Sequence, residues 1–424
     1  MAQASLDLYI LTFNCGRNVV QSDALAEHLL NALPAGTSLP DILVLCLQEI
    51  APIGYAFLGG SFLTPYFNAL QNAVKLATKR TKFVNVVTRN VGLTSIMVFA
   101  KEDLVPDITG VRVAQVGLGV QEMGNKGAVG VRLDYRSDGQ LMPLTFVSAH
   151  LAPMEKALDR RNEDYKNIVR RLIFAPEKPG KALATDEQDE DAPLLQGMGE
   201  TKDAEAYQIY SKTSHLFFAG DLNYRTSARQ PTPEDIQRFP QPTKDVDDPR
   251  HYSHLLKKDQ LQQQLRAGKT LHGLVEEPIT FAPTYKYHTT LGEPVTHDGE
   301  QPWNWATHRW PSWCDRILFS ATDFPTHKVH SYMALPLFST SDHRPVALSV
   351  SVPFEPRHDT ELAEVVPFSI DPEWKTRRDA ARRKEIVVGI LSYLSLTWEG
   401  RGLLLASIVG ALGGWLILRS MLVG

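Results

Sequence analysis

The sequence predicts a sheet-rich α/β or α+β fold built from layered sheets, followed by a membrane helix. Short apolar runs rich in β-branched and aromatic residues recur between residues 1 and 355, with helical segments between them. A run of sixteen residues without a charge, 403–418, lies near the C-terminus. At 424 residues with 43% hydrophobic content, the chain is long enough to bury a sizeable core.

The strands are predicted one by one from these runs. The first, LYILTFN, alternates like a β-strand and follows no basic segment, which argues against a signal peptide. The others, in order, are DILVLCLQ, TSIMVFA, GAVGVRL, LTFVSAHL, HLFFAG, RILFS and PVALSVSV. Helices are predicted at SDALAEHLLNAL and EKALDRRNEDYKNIVRRLIF, and no internal repeat is evident.

Composition divides the chain into a domain, a linker and an anchor. We predict one domain over residues 1–355, interrupted at 175–206 by an acidic, Pro/Gly-bearing insertion that we expect to be disordered. A polar and basic linker is predicted at 356–385. A hydrophobic membrane anchor is predicted at 386–420.

The charge-free run 403–418 is short for a membrane span, which usually needs about 20 apolar residues. It suits the thinner bilayer of the endoplasmic reticulum. The basic cluster 375–384 predicts a domain on the cytosolic side of that membrane. The apolar segment 386–398 is open to three interpretations: part of the anchor, an interfacial segment, or a helix packed on the domain. A buried C-terminal helix is the alternative to a span.

Charge and cysteine content argue against nucleic-acid-binding, disulfide-rich and zinc-binding proteins. The net charge of −4 provides no basic field of the kind that nucleic-acid-binding proteins use. The three cysteines lie far apart and show neither disulfide nor zinc spacing, so a reducing compartment is expected.

Polar residues stand at the ends of several predicted strands. A lone residue of this kind is better explained as a turn or a surface charge, but the repetition predicts one shared site at a sheet edge. The residues are Asn14, Gln48, Glu49, His150, Asp221, Asn223, Asp315, Asp342 and His343. Carboxylate and amide oxygens without cysteine favour Mg²⁺ over zinc. Hydrolysis of a phosphate ester, with a carboxylate such as Asp221 as general base, would use all of these groups.

The ordered motifs resemble those of the inositol polyphosphate 5-phosphatase family, including small members that end in a membrane tail. The motifs are TFNCG, LQEI, GNKGAVGVRL, SAHL, FAGDLNYR, PTYKY, PSWCDRIL and SDHRPV, and they span residues 8–350. The resemblance implies the DNase I-like fold of the exonuclease-endonuclease-phosphatase superfamily, a two-sheet β-sandwich flanked by helices.

The resemblance also implies roles for the residues that hold the metal and the attacking water. Asn14 and Glu49 would hold Mg²⁺, with Glu49 as the main ligand. Asp221 would activate the water, and Asn223 would orient it and stabilise the transition state.

By the same resemblance, the remaining catalytic residues would act on the phosphate. Asp315 would pair with His343 and set its protonation, so that His343 binds the scissile phosphate. His150 would contact phosphate, and Asp342 would support the metal side.

The resemblance further implies residues that bind the rest of the head group, including its 4-phosphate: Asn125, Lys126, Tyr285, Lys286 and Arg309. The chain departs from the family pattern at two positions. His288 stands where members often carry an acidic residue, and Thr307 stands where they often carry a lysine. Loss of that lysine bears on how tightly a 4-phosphate is held.

Together these features predict a membrane-tethered, Mg²⁺-dependent phosphatase. The expected reaction removes the 5-phosphate of phosphatidylinositol 4,5-bisphosphate and leaves phosphatidylinositol 4-phosphate. Soluble inositol polyphosphates are an alternative substrate, and a nuclease of the same fold and a non-catalytic scaffold are alternative functions. The expected partners are the lipid head group and a membrane, without nucleic acid, for a monomeric chain.

Overall fold

A computed structural model describes residues 5–137, 139–174, 207–211, 213–297, 299, 302–321, 326–354 and 366–423. The predicted insertion at 175–206 lies outside the described residues. The strands are β1 Ser5–Asn14, β2 Ile42–Gln48, β3 Phe83–Val91, β4 Thr94–Lys101, β5 Ile108–Gly117, β6 Gly127–Ser137, β7 Gln140–His150, β8 His215–Asp221, β9 Leu274–Val275, β10 Asp315–Ser320, β11 Lys328–Ala334 and β12 Val346–Pro353. The α-helices are α1 Ser22–His28, α2 Ile53–Leu58, α3 Thr64–Thr78, α4 Leu158–Arg171, α5 Pro233–Ile236, α6 Tyr252–Leu256, α7 Gln260–Arg266, α8 Trp374–Leu396 and α9 Trp398–Val423.

The strands form two six-stranded sheets. The first has the order β11-β12-β1-β2-β4-β3, and the second has the order β5-β6-β7-β8-β10-β9. The central pairs β1/β2 and β7/β8 are parallel, whereas the other neighbours are antiparallel. Each sheet therefore has one edge, running across the ends of its strands, at which two parallel strands terminate side by side.

The two sheets pack face to face through their apolar side chains. Ile10 and Val44 of the first sheet lie in one buried cluster with Phe146 and Phe217 of the second. Because successive side chains of a strand point to opposite faces, their neighbours point outward and pack under helices. On the first sheet these helices include α1 and α3, and on the second they include α4. The predicted two-sheet sandwich flanked by helices is confirmed.

Both predicted helices of the domain are present but shorter than expected. The segment 22–33 is helical only to His28, after which successive turns continue the chain, with Leu33 N–H donating to the Leu30 carbonyl. The segment 155–174 is helical over Leu158–Arg171. Its last residues leave the helix because Phe174 N–H donates to the Tyr207 carbonyl instead.

The C-terminal region forms two consecutive helices. Among the described residues, one helix is long and apolar enough to cross a membrane, Trp398–Leu422, and that window is not buried. Its 25 residues span about 37 Å, more than the ~30 Å of a hydrocarbon core. The preceding helix α8 crosses the predicted boundary between linker and anchor at residue 385. Its second half packs on the domain, where a Cβ at Gly54 would lie 3.0 Å from the backbone nitrogen of Tyr393.

Candidate active site

The ends of the central strands bring the predicted polar residues to one place. This edge of the two sheets carries Asn14 at the end of β1, Gln48 at the end of β2, His150 at the end of β7 and Asp221 at the end of β8. Asp315 begins the antiparallel strand β10 and pairs in register with Asp221. The edges of both sheets meet there, because Nδ2 of Asn14 donates to Oδ2 of Asp221 at 3.0 Å.

Asp221 is the buried centre of this group. Its Oδ2 lies 3.2 Å from Nε2 of His150 and 3.9 Å from Nε2 of His343. Its Oδ1 accepts the backbone N–H of Asn223 at 3.1 Å. Burial raises the pKa of Asp221, but the neighbouring His343 and His150 outweigh this effect and hold that pKa well below its usual range. Asp221 is therefore an ionised carboxylate that accepts hydrogen bonds from Asn14 and Asn223 and lies beside two histidines.

His343 and Asp315 form a second buried pair. Nδ1 of His343 lies 2.9 Å from Oδ2 of Asp315, which also accepts a hydrogen bond from Thr284 Oγ1 at 2.7 Å. Burial lowers the pKa of His343, but Asp315 and Asp221 outweigh it and raise that pKa to about 9. Asp221, Asp315 and His343 each place a ligand atom within 4.8 Å of the others. Because a protonated imidazole has no free lone pair, this trio is better explained as a charge network than as a metal site.

Glu49, which follows β2, lies next to two cations. Its Oε2 accepts from Nε of Arg17 at 2.8 Å, and its Oε1 lies 3.6 Å from Nζ of Lys126. Burial raises the pKa of Glu49, but His150, Lys126 and Arg17 together lower it to about 2. Nζ of Lys126 also makes a hydrogen bond to Nε2 of His150, which connects Glu49 to the Asp221 group.

The residues at this edge fit a hard divalent cation. Glu49 is ionised, Asn14 supplies an amide, and the two are held at the ends of adjacent parallel strands whose register pairs Asn14 with Gln48. These donors are oxygen atoms, as Mg²⁺ and Ca²⁺ require. The cations Arg17 and Lys126 form ion pairs with Glu49 and balance its negative charge.

The backbone at the site adopts unusual conformations. Glu49 and Asn223 have positive φ values of 46° and 58°, a left-handed region that residues other than glycine rarely occupy. Such conformations concentrate at functional sites, where the surrounding structure maintains them. Gly220 has a φ of 152°, and a Cβ there would lie 1.9 Å from the Ala149 carbonyl oxygen. The glycine of the motif GDLN therefore lets β8 approach β7 beside His150.

The other predicted residues lie around the buried network rather than within it. Lys286 forms an ion pair with Asp342, whose side chain is 29% exposed. Arg309 lies 3.5 Å from Glu155, measured from Nη1 to Oε2. The amide oxygen of Asn125 accepts the backbone N–H of Val120 at 3.1 Å. The ring of Tyr285 packs against the imidazole of His343, with centroids 4.5 Å apart.

Some residues that shape the site were missed in the sequence, although most lie inside the motifs. Thr284 belongs to PTYKY and holds Asp315. Arg225 ends GDLNYR, donates to the side-chain oxygen of Asn223 and lies 4.3 Å above the ring of Tyr285. Arg17 follows Asn14 by three residues, a spacing that by itself carries no signal.

Ser341 was also missed, and it connects the end of β1 to the loop before β12 at the site. Its Oγ donates to the Asn14 carbonyl at 2.6 Å and accepts the backbone N–H of His343 at 3.1 Å. It belongs to the motif SDHRPV, where a small hydroxyl residue next to an aspartate gave no separate signal.

Comparison with known proteins decides the family. The model of endonuclease/exonuclease/phosphatase family 2 matches residues 11–349, which include the whole site. The chain belongs to this family. The family 2 assignment agrees with the motif resemblance and with the two-sheet sandwich.

The proteins to which the chain is similar in sequence include inositol polyphosphate 5-phosphatases. It is 32% identical over 255 residues to inositol-1,4,5-trisphosphate 5-phosphatase 1 of Schizosaccharomyces pombe, covering 60% of this chain and 18% of that protein. It is 29% identical over 361 residues to type II inositol polyphosphate 5-phosphatase 15 of Arabidopsis thaliana, covering 79% and 31%. The chain thus spans less than a third of the length of these relatives.

A solved structure confirms the fold. The inositol polyphosphate 5-phosphatase domain of SPsynaptojanin, in complex with inositol (1,4)-bisphosphate and calcium ion, superposes with a TM-score of 0.58 at 23% identity. The match covers 91% of this chain and 92% of that one. At 23% identity this similarity shows the fold alone.

Proposed function

We propose that the protein is a Mg²⁺-dependent phosphatase that removes the 5-phosphate of phosphatidylinositol 4,5-bisphosphate and leaves phosphatidylinositol 4-phosphate. The observation that carries the proposal is the position of Asp221. One of its oxygens lies within hydrogen-bond or ion-pair distance of Asn14, His150 and His343, at the edge where both sheets end. A buried carboxylate among an amide and two histidines is suited to hold a water beside a phosphate.

The attack on phosphorus is assigned to a water held by Asp221. The carboxylate is ionised, so it accepts a hydrogen bond from the water and directs a lone pair of the water oxygen at the phosphorus. Its low pKa makes it a weak base, so the water must be made more acidic by another group. Asn223, held in place by Arg225 and by the Leu151 carbonyl, orients the same water.

Stabilisation of the negative charge that develops on the phosphate is assigned to His343 and Lys126. His343 is protonated at neutral pH because Asp315 raises its pKa, so it donates a charged hydrogen bond to a phosphate oxygen. Lys126 stands between Glu49 and His150, where its ammonium group faces the same edge. His150 completes the set of phosphate contacts.

Glu49 and Asn14 would hold the Mg²⁺ ion. The ion, when bound, polarises the phosphate and lowers the pKa of water. The ion pairs of Glu49 with Arg17 and Lys126 keep its carboxylate ionised and in place for this role.

The rest of the head group is assigned to the residues around the network: Asn125, Tyr285, Lys286 and Arg309. Lys286 and Arg309 each have an acidic neighbour, Asp342 and Glu155, that holds the cation in place. Thr307 stands where family members often carry a lysine, so Lys286 and Arg309 are the cations proposed to bind a 4-phosphate.

We also propose that α9 anchors the enzyme in a membrane, with the domain on the cytosolic face of the endoplasmic reticulum. The exposed apolar surface of Trp398–Leu422 and the basic residues that precede it in α8 support this orientation. Anchoring raises the concentration of the enzyme at a lipid surface, which favours lipid over soluble substrates. The chain is proposed to act as a monomer and without nucleic acid.

Phosphate release from a short-chain phosphatidylinositol 4,5-bisphosphate tests the proposal. The full chain in detergent should release phosphate with Mg²⁺ and not with EDTA. Asp221→Asn should lower the rate by about 10²-fold to 10⁴-fold because it removes the carboxylate that holds the water. Asp23→Asn, an isosteric change at an exposed position of helix α1, is the matched control and should have no effect. Release by Asp221→Asn at the native rate would overturn the proposal.

Soluble inositol polyphosphates are the second candidate, favoured by the name of the Schizosaccharomyces pombe relative, an inositol-1,4,5-trisphosphate phosphatase. The ratio of kcat/KM for the short-chain lipid to that for inositol 1,4,5-trisphosphate separates the two. Nicking of duplex DNA by the same preparation would point instead to a nuclease of this fold.

A further inference from the structure

Helix α8, which lies between the domain and the apolar helix α9, contacts two segments that lead to the active site. Its buried Glu385 accepts the backbone N–H of Gly124 at 2.7 Å, measured to Oε1. Its Arg382 donates to the carbonyl oxygens of Phe57 and Leu58 at 2.6 Å and 3.4 Å. The first segment is the loop 118–126, which carries Lys126, and the second is α2.

Gly124 is enclosed between α8 and the turn that joins β3 to β4. Its carbonyl accepts the N–H of Leu93 at 2.9 Å, while its own N–H is used by Glu385. A Cβ at Gly124 would lie 2.8 Å from the backbone nitrogen of Gly92 and 3.0 Å from Oε1 of Glu385. Both backbone groups of Gly124 are therefore held, and Lys126 follows only two residues later.

The rest of this loop also depends on contacts from outside. Gln121 and Glu122 have positive φ values of 52° and 67°, which are unfavourable for residues other than glycine. Glu122 accepts from Arg377 of α8 at 2.7 Å and from Arg171 of α4 at 2.8 Å. A loop in such a conformation persists because neighbouring elements hold it, and α8 supplies two of these contacts.

Arg382 holds the second segment in a similar way. It donates to the carbonyl oxygens at the end of α2, which have no partner within a helix that ends there. It also pairs with Glu385, with Nη1 to Oε2 at 3.2 Å. Helix α2 begins four residues after Glu49. The pair Arg382–Glu385 thus connects the segments of both Glu49 and Lys126 to one helix.

We propose that Glu385 is a positioning residue of the active site, which acts by fixing Gly124 and so aims Lys126 at Glu49 and His150. The proposal rests on the proposed phosphatase function. It means that α8 is a working part of the catalytic unit and not only a linker to the membrane.

Turnover of water-soluble inositol 1,4,5-trisphosphate by the full chain in detergent tests the proposal, because membrane access does not limit that substrate. Glu385→Ala should lower kcat by about tenfold or more through misplacement of Lys126. Glu385→Gln retains a side-chain oxygen that can accept from Gly124, so it should restore most of kcat. Asp379→Ala, a change of an acidic residue of α8 whose described hydrogen bond is to its neighbour Arg378, is the matched control.

A double-mutant cycle separates positioning from a general effect on stability. If Glu385 acts through Lys126, then Glu385→Ala should have little further effect in a Lys126→Ala background. Equal fold losses in both backgrounds, or native kcat in Glu385→Ala, would overturn the proposal.

Hydrogen exchange provides a measurement that does not depend on activity. In Glu385→Ala, amides of the loop 118–126 should exchange faster, while those of the central strand β7 keep their protection. Unchanged exchange in this loop would contradict the inference even if the chain released no phosphate. Lack of phosphate release by the native chain, by contrast, would contradict the proposed function and leave the exchange result to decide the role of Glu385.

Discussion

Nδ1 of His343 lies 2.9 Å from Oδ2 of Asp315, and both residues are buried. This contact joins the loop before β12 in one sheet to the first residue of β10 in the other. It keeps His343 protonated above neutral pH, because the negative charges of Asp315 and Asp221 outweigh the effect of burial. The charge of the imidazole is thus set by a contact across the two sheets.

The first prediction concerns the pH dependence of activity. His343 with a pKa of about 9 is protonated below that pH, so kcat/KM should fall as the pH rises through about 9. Asp315→Asn removes the charge that raises the pKa, so the fall should occur at a lower pH, closer to the ordinary value of 6.5. A pH profile of both chains with inositol 1,4,5-trisphosphate checks this. An unchanged alkaline limb in Asp315→Asn would contradict the assignment.

The same shift has a consequence for stability. Because the pKa of His343 is higher in the folded chain than the ordinary value, the pair with Asp315 stabilises the fold fully below about pH 6.5. This contribution is lost as the pH rises through about 9. Unfolding by urea between pH 6 and pH 10 should show the loss in the native chain and a smaller loss in Asp315→Asn.

The second prediction concerns the metal. Glu49→Gln keeps the shape of the side chain but removes its charge, so the Mg²⁺ concentration for half-maximal activity should rise by about tenfold or more. The matched control is Glu27→Gln, an isosteric change on helix α1. Calorimetric titration of Mg²⁺ into the native chain and Glu49→Gln supplies a second measurement without substrate. Equal affinities for Mg²⁺ would exclude Glu49 as a ligand.

The third prediction separates the conformation of Asn223 from its chemistry. Asn223 has a φ of 58°, so Asn223→Ala should destabilise the fold by about 1–2 kcal/mol, whereas Asn223→Gly should cost less because glycine tolerates this φ. Both changes remove the amide, so both should lower kcat by about 10²-fold to 10³-fold. Urea unfolding and kcat of the two variants check this. Native kcat in Asn223→Gly would show that the residue serves the backbone alone.

The fourth prediction concerns the two C-terminal helices. A chain that ends at Thr397 lacks α9, so it should keep its activity on inositol 1,4,5-trisphosphate but lose activity on lipid in vesicles. A chain that ends at Glu373 lacks α8 as well, so it should also lose activity on the soluble substrate. Flotation of the native and shortened chains with vesicles measures membrane attachment. Equal flotation of the native chain and the chain that ends at Thr397 would argue against an anchor in α9.

The interior strands were predictable, and the edge strands were not. The eight predicted runs correspond to β1, β2, β4, β6, β7, β8, β10 and β12, each of which has a strand on both sides. The strands outside that prediction are β3, β5, β9 and β11, which are the edges of the two sheets. Several residues of β3 and β11 are only partly buried, so these strands lack a continuous apolar run.

The order of the motifs was sufficient to predict the sandwich and the family, and the residue types at the strand ends indicated that these polar side chains would lie together. This was possible because a strand that is buried on both faces must be apolar until it ends, so a polar residue at its end stands out. The apolar character of α9 was also visible in the sequence, because a helix without a polar face needs apolar surroundings.

Contacts between residues far apart in the chain could not be predicted in this way. The contact of Ser341 with Asn14, the position of Asp342 beside Lys286, and the docking of Glu385 on Gly124 join segments separated by 327, 56 and 261 residues. A local pattern records which face of an element is buried, but it does not record which distant group will lie against it. That choice is made when the sheets and helices pack, because buried charges and backbone groups must then find partners.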